Sequence, residues 1–135
     1  YARMYGLPDV KRRVDEALSM IGLEARRRDL VRQFSRGMQQ RLAIGRALLH
    51  DPQVMLLDEP HTGLDQDAAA MLDGLLRQVA AGGRTVLMTS HDLPRAADLA
   101  TRIDVLSRGV IAASVPRAGI NSAGLIDLYR KVTHD

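Results

Sequence analysis

An α/β fold built on a parallel sheet is what this sequence predicts, and three observations predict it. Val54-Met55-Leu56-Leu57 is a continuous apolar run that ends in Asp58-Glu59-Pro60, the pattern of a strand with helices over both faces. Thr85-Val86-Leu87-Met88-Thr89-Ser90 is a second such run, rich in β-formers at its start. Between them Ala68, Met71, Leu72, Leu75, Leu76 and Val79 recur at helical spacing. Strand, helix and strand in alternation, with a further helix after His91-Asp92, argue for parallel pairing.

The remaining elements follow in order. Asp9 stands as an N-cap before a helix that carries Val10, Val14, Ala17, Leu18 and Ile21 on one stripe, and Gly22 stops it. Leu23 to Val31 reads as a short helix with a polar connector. Ser35 caps a helix through Leu42, Ala43, Ala47, Leu48 and Leu49, which Asp51-Pro52 ends. After the first strand, His61 to Asp65 is a loop, and Gly82-Gly83 closes the central helix. A helix from Leu93 to Ala100 is followed by a β-hairpin, Arg102–Ser107 and Val110–Ser114, turning at Arg108-Gly109. Leu125, Ile126, Leu128, Tyr129 and Val132 mark a terminal helix.

Composition bounds the function. The 135 residues are 46% hydrophobic but only 3% aromatic, so Leu, Ile, Val, Ala and Met must build the core. There is no cysteine, which excludes disulfides and thiolate metal sites. No apolar run approaches the ~20 residues of a membrane helix. The net charge of +3 permits phosphate, nucleic acid or anionic lipid as partner. Only Arg26-Arg27-Arg28 clusters, however, and it reads as a solvated helix face.

Three places carry chemistry. Asp58-Glu59 stands where a parallel strand leaves its sheet, which is where ligands of open α/β folds collect. Paired carboxylates there suit a divalent cation and an acid–base task; a solvated acidic turn is the other reading. Ser35 and Gly37 open a helix whose amides and dipole suit an anion, or they form an ordinary capped helix. His91 stands at the equivalent place after the second strand, or is a helix-capping or core histidine.

In order and spacing these places resemble the second half of an ATP-binding-cassette (ABC) ATPase. Phe34-Ser35-Arg36-Gly37-Met38-Gln39-Gln40-Arg41 resembles the signature motif, with Arg36 for a glycine and Met38 for a glutamine. Val54 to Glu59 resembles the Walker B strand, Gly63-Leu64-Asp65 the D-loop, and Ser90-His91-Asp92 the switch-histidine loop. The resemblance implies that Asp58 holds Mg²⁺ at ATP, that Glu59 is the general base, and that His91 contacts the γ-phosphate. It implies that Ser35, Arg36, Gly37 and Met38 face the ATP of a second ATPase subunit, and that Asp65 couples the two sites of that dimer. Arg36 is expected to point to solvent, and His61, where the family often has threonine, to be neutral.

No Gly-x-x-x-x-Gly-Lys-[Ser/Thr] occurs. The expected fold is therefore a partial P-loop NTPase (ABC ATPase) fold lacking the N-terminal half with the Walker A loop. Residues 1–50 are expected as the helical, signature-motif subdomain, and 51–135 as the distal half of the ATPase core. Tyr1 looks like the start of a fragment, expected neither to bind nor to hydrolyse ATP by itself, and to self-associate through uncovered sheet. The implied parent is a peripheral ATPase on the cytoplasmic face of the inner or plasma membrane, bound to a transmembrane permease. Haem export for cytochrome c maturation is the first cargo expectation, with drug or antibiotic export as the alternative. A soluble cassette acting on nucleic acid or ribosomes is a further class, although no dense basic arm supports nucleic acid as a partner.

Overall fold

A computed structural model describes residues 1–134. They form two compact units, residues 1–89 and the residues from Ser90 onward. The expected boundary at residue 50 is not a break in packing. Ile21, Leu23, Ile44 and Leu48 share one apolar core with Met55, Leu72, Leu75, Leu76 and Val79.

In the first unit, α1 (Val10–Met20) and α2 (Arg36–Leu48) precede the strand β1 (Val54–Leu57). Helix α3 (Gln66–Ala81) then leads to β2 (Thr85–Met88). The two strands pair in parallel, with Val54 opposite Thr85 and Leu57 opposite Met88, as the alternation of elements predicts. Asp9 sits at the N-cap of α1, but its side chain makes no capping bond and its φ is 52°. The end of α1 follows expectation: Leu23 N donates to Leu18 O at 2.9 Å and Gly22 N to Ser19 O at 3.0 Å. This is the Schellman pattern of a glycine-terminated helix. The polar connector contains two short 3₁₀ turns, Glu24–Arg26 and Val31–Gln33.

Helix α3 buries Leu72, Leu75, Leu76 and Val79 as expected, and in α2 Leu48 is buried with Leu42 and Ala47 packed on the core; single positions differ. In α2 the buried positions are Gly37, Ile44, Gly45 and Leu48, while Ala43 is exposed. In α3, Ala69 is buried where Ala68 was expected, and Met71 is exposed. The strands also differ from expectation. Met55 is buried and Leu57, Val86 and Met88 pack against the core, but Val54, Leu56 and Leu87 are 55%, 73% and 58% exposed. The described residues cover the sheet on one face only, so the apolar run is buried by alternation and not throughout.

In the second unit, α4 (Leu93–Leu99) precedes an antiparallel hairpin, β3 (Arg102–Ser107) and β4 (Val110–Pro116), and α5 (Ser122–His134). Arg108 and Gly109 both have positive φ, 51° and 82°, which is the two-residue turn that follows strand twist. Ala97, Val105 and Leu125 are its buried apolar side chains.

Candidate functional site

At the carboxyl end of β1 the chain turns sharply. Glu59 has φ 45°, and Thr62 N closes the turn on Glu59 O at 3.1 Å. Parallel pairing sets Thr89 beside this turn: its backbone N–H donates to Leu57 O at 3.0 Å. The Thr89 hydroxyl donates to Asp58 Oδ1 at 2.6 Å and accepts the Glu59 backbone N–H at 2.9 Å. Asp58 and Glu59 are thus held at one sheet edge by a residue that the motif reading passed over. A hydroxyl at the end of the adjacent strand was the available signal.

The same turn has a second anchor. His61 Nε2 lies 2.7 Å from Asp73 Oδ1 on α3, and both side chains are nearly buried, 9% and 14% exposed. Sequence reading treated His61 as neutral. It instead pairs with a carboxylate twelve residues on, tying the loop after Glu59 to the central helix.

The signature-like residues form a separate group in this unit. Ser35 caps α2, its Oγ accepting the Met38 N–H at 3.2 Å. By helix geometry the amides of Arg36 and Gly37 lack partners within the helix. Gly37 is buried, and a Cβ added there would stand 2.7 Å from Ala68 Cβ. The glycine therefore lets the first turns of α2 and α3 approach closely. The Arg36 guanidinium lies over Gly63: a Cβ built on Gly63 would come within 2.6 Å of its Cζ. Arg36 is exposed, as expected, and its guanidinium also meets the D-loop-like turn. Asp65 Oδ1 accepts the Ala68 N–H at 2.8 Å, which makes it the cap of α3.

His91 belongs to the second unit. It is exposed and precedes Asp92, whose N–H donates to Ser90 Oγ at 3.1 Å. The Asp92 carboxylate caps α4 by accepting the Arg95 N–H at 3.0 Å.

Among the described residues no group of three or more His, Cys, Asp or Glu is placed to enclose a metal ion. Asp58 is nevertheless suited to a hard cation. It is exposed, and Thr89 engages its Oδ1, which leaves Oδ2 to a ligand. A Mg²⁺ ion would be held by Asp58 with water and substrate phosphate, since this cation is bound through few carboxylates.

The model of the ABC transporter family matches residues 4–62, a span containing both the signature-like helix and Asp58-Glu59. The chain is homologous to ABC transporter ATPase domains. Drug-resistance and Nod factor export ATP-binding proteins are among the relatives. The linearmycin resistance ATP-binding protein of Bacillus subtilis is 35% identical over 84% of this chain and 37% of its own length. The molybdenum import ATP-binding protein of Mycobacterium tuberculosis is 50% identical over 68% of this chain and 25% of its own. A solved ATP-binding cassette of an ABC transporter, MJ1267, superposes with a TM-score of 0.80 at 21% identity. That match covers 92% of this chain and 48% of the solved one, and it shows the ABC ATPase fold. The chain spans less than half the length of these ABC proteins.

Proposed function

We propose that this chain is part of the ATP-binding subunit of an ABC exporter, coupling ATP hydrolysis to transport through a transmembrane permease. The observation that carries this reading is Asp58-Glu59 at the open end of a parallel strand, aligned through the Thr89 hydroxyl. Glu59 acts as general base toward the attacking water and Asp58 holds Mg²⁺. When bound, Mg²⁺ neutralises phosphate charge. His91 steadies the γ-phosphate. Ser35, Arg36, Gly37 and Met38 face the ATP of a second ATPase subunit, and Asp65, at the head of α3, carries movement between the two sites. No helix of the described residues is long and apolar enough to cross a membrane, which fits a peripheral subunit at the cytoplasmic face.

Relatives named for drug resistance and Nod factor export support a cargo of that kind. Haem export draws no support from them. The import relative shares this segment at higher identity, which fits a segment that does the ATPase work and leaves cargo choice to the permease.

The test is Glu59→Gln in the full-length protein carrying this chain. Turnover falls roughly 10²–10⁴-fold while Mg-ATP binding persists, as removal of a general base requires. Undiminished turnover overturns the assignment. The 135-residue chain alone, without a phosphate-cradling glycine loop, shows negligible Mg-ATP affinity by titration calorimetry, and micromolar binding would contradict this. Its bare sheet face at Val54, Leu56 and Leu87 favours self-association; a clean monomer by light scattering at high concentration counts against that.

A further inference from the structure

We propose that Thr89 is a positioning residue for this carboxylate pair, a role that rests on the ATPase reading above. A hydroxyl has one proton to give and lone pairs to receive with. The Thr89 proton goes to Asp58 Oδ1 at 2.6 Å, a length typical of a hydroxyl donating to a carboxylate. Its lone pair takes the backbone N–H of Glu59 at 2.9 Å. One oxygen therefore fixes the side chain of one acidic residue and the main chain of the next.

The main-chain bond matters because Glu59 is left-handed, φ 45°, a conformation in which Cβ crowds the following carbonyl. The direction of the Glu59 side chain depends on that backbone being held. The bond to Asp58 acts differently, committing Oδ1 and leaving Oδ2 for a cation. Parallel pairing makes both bonds possible at once, since Thr89 follows Met88, the partner of Leu57. Thr89 also stands two residues before His91, so the strand end that fixes the carboxylates continues into the segment bearing the histidine.

Valine at this place keeps the β-branched shape and the strand preference but removes both bonds; serine keeps the hydroxyl. In the full-length protein, Thr89→Val lowers kcat for Mg-ATP hydrolysis tenfold or more, the order expected when hydrogen bonds to a carboxylate and a strained amide are lost. KM stays within about threefold, because a displaced base is felt in the transition state more than in substrate binding. Thr89→Ser restores kcat to within about threefold of the parent. A T89V enzyme with unchanged kcat overturns the proposal, as does a T89S enzyme that remains as slow as T89V. Should T89V fail to fold, T89S against Thr89→Ala makes the same comparison. Hydrogen exchange of the Glu59 amide supplies a reading that needs no turnover. If the parent proves inactive, the ATPase reading fails, while faster Glu59 exchange in T89V still supports the positioning bond and unchanged exchange rejects it.

Discussion

In residues 1–89 the order comes from apolar side chains that meet across long stretches of chain. Ile21 and Leu23 pack with Ile44, Leu48 and Met55 and with one face of α3. Among the described residues from Ser90 onward, only Ala97, Val105 and Leu125 are buried apolar residues. There the contacts are more local: a two-residue turn, Asp104 bonded to Ser114 and Arg102, and Arg117 donating to the carbonyls of Ala97 and Ile120. The contrast teaches that the carboxylate pair and the signature-like helix rest on a shared core, whereas the segment bearing His91 belongs to a unit built from turns and polar ties.

The sharpest way to break this comparison is to remove the same atoms from each unit. Leu72 and Leu125 are both fully buried. Leu72→Ala costs about 2–5 kcal/mol, and Leu125→Ala falls at the low end of that range, because sparse surroundings collapse more readily into the gap. Urea denaturation of both variants checks this. Equal losses, or a larger one for Leu125, would remove the distinction.

Next in size is Gly37→Ala. The new methyl meets Ala68 Cβ at 2.7 Å, and that atom is fixed to the α3 backbone, so two helices must part. Overpacking of this kind costs about 1–3 kcal/mol, offset by up to ~1 kcal/mol of helix propensity. Gly45→Ala supplies the contrast, since its near neighbours are the Ile21 Cδ1 and Cγ2 methyls at 2.7 and 3.0 Å, side-chain atoms that χ rotation moves without parting two backbones. Thermal melts place G37A below G45A; the reverse order would show that α2 and α3 separate easily.

In the second unit the matching glycine acts through φ alone. Gly109 has φ 82° and open space around it. Gly109→Ala therefore costs only the left-handed penalty, roughly 1–2 kcal/mol, read as weaker amide protection along β3 and β4. Undiminished protection would mean that the turn does not hold the hairpin.

These cases also show what the sequence made legible. The hairpin turn at Arg108-Gly109, the Ser35 cap and the Gly22 stop were readable because each depends on neighbours in the chain. The face of α3 was readable from Leu72, Leu75, Leu76 and Val79, but its first turns were not. Ala68, Ala69, Ala70 and Met71 are consecutive and apolar, so periodicity cannot say which faces inward; packing chose Ala69. Asp58 and Glu59 were visible as a motif, but their tether was not, since Thr89 lies thirty-one residues from Asp58 and reads as an ordinary strand residue. The pairing of His61 with Asp73 was hidden for the same reason: they meet only once α3 is folded beside the loop. Local chemistry was written in the sequence, and the contacts that position it arise from pairing and packing.

The smallest effect is electrostatic and belongs to the second unit. The Asp104 carboxyl is held below the ordinary aspartate range, first by the Ser114 hydroxyl and then by Arg102, against some opposing desolvation. Ser114 Oγ donates to Asp104 Oδ1 at 2.5 Å, and Arg102 approaches Oδ2 at 3.0 Å. The depressed value means that unfolded chain binds this proton more readily than folded chain. The contribution to stability is therefore complete above the unfolded aspartate value, about 3.9, and is lost as pH falls through the lower folded value. Ser114→Ala raises the Asp104 midpoint toward the ordinary value and reduces the acid loss of hairpin stability. Arg102→Ala moves it less, because an exposed ion pair is screened by water. Carboxyl titration by NMR distinguishes the two. A midpoint that moves more with Arg102 than with Ser114 would make the hairpin tie ionic, and its strength should then fall with added salt; the hydroxyl bond implies little salt dependence.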